Sequence, residues 1–87
     1  EDVDAKFDAA FVKLYTDAIG SKPTNDVVLS AREVGHATCE ALDSGATAKQ
    51  VVQALIQGQS GTGLKVVLIA AGTGVGIYCP QYIKDFA

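Results

Sequence analysis

The feature that most restricts what this chain can fold into is the apolar, glycine-punctuated run over residues 63–79, "GLKVVLIAAGTGVGIYC". Its first half, "VVLIA", suits a buried strand as well as a helix, because a short apolar run has no distinguishing period. Length favours a helix, since strands rarely exceed about 10 residues. A hairpin pairing residues 66–70 with 75–79 around "AGTG" stays open as the alternative, although a lone two-stranded sheet needs outside support. The apolar stretch over residues 66–78 falls short of the roughly 20 residues that cross a bilayer, so no membrane span is expected.

The three segments before it are patterned as helices. Phe7, Phe11, Leu14, Tyr15 and Ala18 share one helical face, and Asp2, Asp4 and Asp8 place negative charge where a helix dipole favours it. Gly20 marks a stop and "SKPTND" a loop. Thr24 or Asn25 can cap a second helix whose apolar stripe is Val27, Ala31, Val34, Thr38, Ala41 and Leu42, with Gly45 ending it. Thr47 followed by Gln50 matches a capping box that opens a short third helix with Val51, Val52 and Leu55 inward. Pro80 ends the long fourth segment or starts a short helix through "QYIKDFA". The expectation is one all-α domain over residues 1–87, a compact bundle of about four helices.

At 87 residues the core is small enough that a crosslink, metal or partner is expected to assist it. The two cysteines, Cys39 and Cys79, permit one disulfide. If the last segment is helical, Gly72, Gly76 and Cys79 fall at i, i+4 and i+7, while Gly35 and Cys39 fall at i and i+4 of the second helix. Glycines beside each cysteine would let two helix backbones come as close as a disulfide demands. Gly35, Gly72 and Gly76 are therefore the expected points of close helix packing.

Motifs for chemistry do not hold up. Gly58 and Gly63 have the spacing of a phosphate loop, but Leu64 precedes Lys65 and Val66 replaces the hydroxyl. Gly72, Gly74 and Gly76 lack the third glycine of the dinucleotide fingerprint, because position 77 is isoleucine. His36, Cys39 and Glu40 can be drawn as a metal pair or a thiol–imidazole dyad; a zinc site needs three or four ligands, and His36 is the sole histidine. The plainer reading is a surface histidine beside Arg32 and Glu40. The acids Glu1, Asp2, Asp4 and Asp8 lack the ordered glycine loop of a calcium hand. No catalytic, cofactor-binding or metal-binding residue is assigned. A net charge of −3 without a basic run offers nothing to nucleic acid.

Taken together, "CEALDSGAT", "VVQAL" and "YCPQYI" resemble a family of small exported actinobacterial, chiefly mycobacterial, proteins catalogued as domain of unknown function 732. Cys39, Leu42, Asp43 and Gly45 match its first motif, and Tyr78, Cys79 and Pro80 its second, with similarity from about Phe7 to Tyr82. The resemblance implies a secretion signal removed before Glu1, a Cys39–Cys79 disulfide and an all-helical fold. It brings no catalytic residues. One departure is "AAGTGVGIY" in place of an alanine-rich last helix, which leaves the regularity of residues 72–76 open. The expected role is a secreted, non-enzymatic interaction or effector module for an unknown protein partner, a host protein among the candidates. The alternative is a carrier of a small apolar ligand in an inter-helix groove. No oligomeric state follows from the sequence.

Overall fold

A computed structural model describes residues 2–86. Four helices follow one another: α1 (Val3–Ile19), α2 (Asn25–Asp43), α3 (Ala48–Ile56) and α4 (Gly61–Tyr78), with a terminal 3₁₀ helix at Pro80–Asp85. Residues 63–79 are therefore helical up to Tyr78, and no strand occurs among the described residues. Helix α4 runs unbroken through Gly72 and Gly76.

Local chemistry explains the boundaries. Asp2 caps α1 by accepting from the backbone N–H groups of Asp4 and Ala5, and Gly20 ends it in the left-handed conformation at φ 97°. Thr24 caps α2 through the N–H of Val27. Thr47 and Gln50 form a complete capping box at α3, each side chain bonding the other's backbone N–H at 3.1 and 2.9 Å. Helix α4 stops at Tyr78, because a residue before proline is disfavoured in the helical region; Cys79 accordingly sits at φ −145°, ψ 64°.

Helix α4 is the hub and packs on every other element. Beside it, α1 and α2 enclose Phe7, Phe11, Val28, Ala31 and Ala70. Toward the other end, α2, α3 and the 3₁₀ helix enclose Cys39, Leu42, Val51, Val75 and Cys79. Two buried hydroxyls are satisfied inside their own helices: Thr38 donates to the Val34 carbonyl at 2.8 Å and Thr73 to the Ile69 carbonyl at 2.7 Å. By length and composition alone, the 18 residues of α4 are enough to cross a membrane. The helix begins five residues before the apolar run on which the contrary expectation rested. In this fold it supplies Ala70, Ala71, Thr73, Gly74 and Val75 to the interior.

Cys39 and Cys79 are joined, with Cα atoms 5.9 Å apart. The glycine contact that lets α2 and α4 approach is Gly35 on Gly74. A Cβ built on Gly74 would lie 2.4 Å from the Gly35 Cα, and one built on Gly35 would lie 3.1 Å from the Gly74 Cα. This corrects the expected stripe of Gly72 and Gly76, both of which are exposed and would meet nothing within 4 Å. The spacing of Gly72 and Gly76 from Cys79 marks one face only if Cys79 is helical. Its backbone leaves the helical conformation, so the sulfur departs from the helical face, and Gly74 takes the contact.

Two predictions follow from this crossing. Gly74→Ala should destabilise the fold by about 1–3 kcal/mol through overpacking, whereas Gly76→Ala, facing open space in a helix interior, should stabilise it by up to about 1 kcal/mol. Urea denaturation of the two variants beside wild type measures both; equal midpoints would remove Gly74 from the contact. Replacing both cysteines by serine should cost about 4 kcal/mol on the loop-entropy account for a sequence separation of 40. Intact mass after alkylation without reduction should show no modified thiol in the wild type.

Candidate functional site

Two features stand out once the helices are in place: a polar network where α1, α2 and α4 meet, and an apolar hollow between α2 and α4.

The network arises from matched spacings. Asp4 and Asp8 are one turn apart on α1, and Arg32 and His36 are one turn apart on α2. Arg32 grips Asp8 with two hydrogen bonds, Nε to Oδ1 at 2.8 Å and an Nη2 bond to Oδ2. The His36 Nε2 lies 3.2 Å from Asp4 Oδ1. That same oxygen accepts the Tyr78 hydroxyl. The His36 ring stacks on Tyr78 with centroids 3.8 Å apart, Tyr78 stacks on Phe7 at 5.2 Å, and Phe7 on Phe11 at 5.8 Å. A continuous ring stack thus leads from the core to the half-exposed imidazole.

Each group's protonation follows from its neighbours. The Tyr78 hydroxyl bond, assisted by His36 and Arg32, outweighs partial burial and holds the Asp4 carboxyl below its ordinary value. Partial burial first, and the Asp4 bond second, push the Tyr78 phenol well up. Asp8 holds the Arg32 guanidinium firmly protonated. At the other end of the molecule Tyr82 donates to Asp43 at 2.7 Å, and its phenol is raised for that reason.

Chemically, this is a set of mutually satisfied partners. His36 is an exposed residue, as its surface reading has it, but its neighbours are Tyr78 and Asp4 on other helices. Those partners were missed, although the paired acid and base spacings on α1 and α2 carried the signal. Cys39 lies one turn from His36 on α2, and its sulfur is bonded to Cys79, so it holds no thiolate. Among the described residues no three His, Cys, Asp or Glu side chains converge as a metal site would require. Of the early acids, Asp2 serves as the α1 cap, Asp4 and Asp8 join the network, and Glu1 lies outside the described residues.

The hollow, of about 240 Å³, opens between the N-terminal halves of α2 and α4. Val27, Ala31 and Val34 form one wall and Val66, Val67 and Ala70 the other, with Asp26 and Ser30 at the edge. Alanine on the floor and valine on the ridges leave the depression. A second hollow of about 200 Å³ lies farther along α2, where Ala37, Thr38 and Ala41 face Val51, Ala54 and Leu55 of α3.

A carboxyl whose folded value is depressed stabilises the fold above its unfolded value, and that stabilisation is lost as pH falls through the folded value. Asp4 should therefore make the melting temperature drop as pH falls below its ordinary 3.8. Tyr78→Phe removes the largest cause of the depression and should flatten that drop, as read by thermal melts between pH 6 and 2.5. Parallel curves for wild type and variant would show that the Tyr78 bond does not set the Asp4 carboxyl.

Uncharacterized proteins of Mycobacterium bovis and Mycobacterium tuberculosis each match at 42% identity over 52 residues, which is 58% of this chain and 44% of theirs. The chain thus spans less than half the length of those curated relatives. No solved structure matches. The family model described as "protein of unknown function (DUF732)" matches residues 7–81, and the chain belongs to that family.

Proposed function

We propose that this chain is a non-enzymatic protein-interaction module that works in an oxidising compartment outside the cytoplasm. What carries the reading is the hollow between α2 and α4: valine and alanine walls from two helices, left uncovered at one end of the domain. Contiguous apolar surface of this kind is where partner side chains insert. A hollow of about 240 Å³ is smaller than the pockets of roughly 300–1,000 Å³ that enclose small molecules, so it suits one or two side chains better than a lipid or cofactor. The polar network supports the non-enzymatic part of the reading, because Asp4, Tyr78, Arg32 and Asp8 already occupy one another's hydrogen-bonding capacity. Supporting release from the cytoplasm is the Cys39–Cys79 bond, since such bonds persist where thiols are not kept reduced.

The test is affinity capture on immobilised wild type and on Val34→Asp, which places a charge in the hollow, alongside native mass spectrometry of the purified protein. We expect a captured protein whose recovery falls about tenfold on Val34→Asp, with the circular dichroism of the variant unchanged and the native mass equal to that of the polypeptide. A bound small molecule that Val34→Asp releases would replace this reading with the carrier.

A further inference from the structure

The two hollows lie in succession along one face of α2. Val27, Ala31 and Val34 line the first, and Ala37, Thr38 and Ala41 line the second. On α2 these residues continue one another at spacings of three, four and seven, a single helical face. From Val27 to Ala41 the face is about 21 Å long at 1.5 Å per residue. Helix α4 walls its first half, and α3, only 9 residues long, walls its second. The two floors, Ala31 and Thr38, are buried, small and seven residues apart, about 10.5 Å along the axis. That separation equals the distance between residues i and i+7 of an incoming helix.

Charge runs alongside. Asp26, Glu33 and Glu40 recur every seven residues on α2, and each immediately precedes a residue of the trough: Val27, Val34 and Ala41. A seven-residue repeat drifts only about 20° around a helix, so the three acids form one row along one edge. All three are exposed, and Asp26 touches the first hollow itself. Asp4, Asp8, Asp17 and Asp43 find side-chain partners within the chain. Asp26, Glu33 and Glu40 make no ion pair or side-chain hydrogen bond among the described residues.

Resting on the reading of the chain as an interaction module, we infer that this trough receives one amphipathic α-helix of a partner protein, with an apolar seam bordered by a row of lysine or arginine. The seam seats side chains at i and i+7 over Ala31 and Thr38, as helix-in-groove recognition requires. The small floor residues let the partner approach to the usual interaxial distance of about 8–10 Å. The basic row pairs with Asp26, Glu33 and Glu40, setting direction and register.

The probes are two helical peptides of about 18 residues sharing a leucine seam, one with lysine and one with glutamate beside it, titrated into the isotopically labelled, disulfide-intact protein. We expect the lysine peptide to shift amide resonances of residues 27–41, 51–55 and 66–70, and to bind about tenfold more tightly than its acidic twin at low salt. The triple variant Asp26→Lys, Glu33→Lys, Glu40→Lys, altered only at exposed positions, should reverse that preference. Equal binding of the two peptides, or shifts mapping instead to exposed Leu14 on α1, would overturn the inference. So would self-association that the triple variant abolishes, which would assign the trough to a second copy. Failure of both peptides beside a captured partner sensitive to Val34→Asp would sink the helix but leave the module. Failure of both peptides together with capture insensitive to Val34→Asp would remove the two readings at once.

Discussion

The contact of Gly35 on Gly74 is the constraint from which the rest of this structure follows. Two helices whose backbones touch at a point without side chains can come closer than any alanine would allow, and here a single Cβ on Gly74 would reach to 2.4 Å from the opposing Cα. The disulfide lies one turn beyond the crossing on α2, and Cys39 Sγ rests 3.6 Å from the Gly74 carbonyl oxygen. Close approach and crosslink reinforce each other. The contact brings the two sulfur-bearing backbones within bonding range, and the bond removes unfolded conformations in which the contact is absent. Glycine in a helix interior costs up to about 1 kcal/mol, which a crosslink of this span offsets.

From that crossing the positions of the remaining elements are narrowly set. Phe7 and Tyr78 both lie 3.1 Å from where a Gly35 Cβ would stand, so the missing side chain also makes room for the aromatic stack. The stack fixes α1 against the α2–α4 pair, and Asp4 and Asp8 then face His36 and Arg32 across the helices. One close contact between two glycines thus orders an aromatic column and, at its outer end, a set of charge-assisted bonds. It also explains why one flank of α2 stays bare. Helix α1 takes one side of the pair, and the 9 residues of α3 are too few to cover the whole of the other.

The sequence was most informative where the cause is local. The Thr47–Gln50 box, the Thr24 cap, the Gly20 stop and the Phe7–Phe11 spacing each act within a turn or two, and each appears where the residues indicate. It was least informative where the cause is a departure from regularity. Choosing Gly72 and Gly76 over Gly74 required treating Cys79 as helical, and Pro80 prevents that. Likewise the polar network depends on how α1 crosses α2, which no one-dimensional pattern states. The paired one-turn spacings, acid on α1 and base on α2, were nevertheless present. The trough was half legible: Val27, Ala31, Val34, Thr38 and Ala41 belong to the apolar stripe read from the sequence. That part of the stripe remains open because α3 is short, a matter of packing.

The distribution of charge separates two kinds of acid. Acids that face another helix or a neighbouring turn acquire partners: Asp8 with Arg32, Asp4 with Tyr78 and His36, Asp43 with Tyr82. These bonds tie elements together, and exposure limits what each adds. Acids along the open edge of α2 have no such partner, although the chain carries 7 Lys and Arg against 10 Asp and Glu. Arg32, the base nearest to them on α2, is committed to Asp8 on the far side of that helix. Folding therefore draws the available cation on α2 inward to the network and leaves Asp26, Glu33 and Glu40 unpaired among the described residues along the α2 edge of the trough. A face that is apolar along its centre and of one sign along one edge has both elements of selectivity, attraction for a complementary charge and repulsion of a like one. The short α3 thus leaves this face uncovered, and the bond that commits Arg32 to Asp8 leaves its acids without a partner on their own helix.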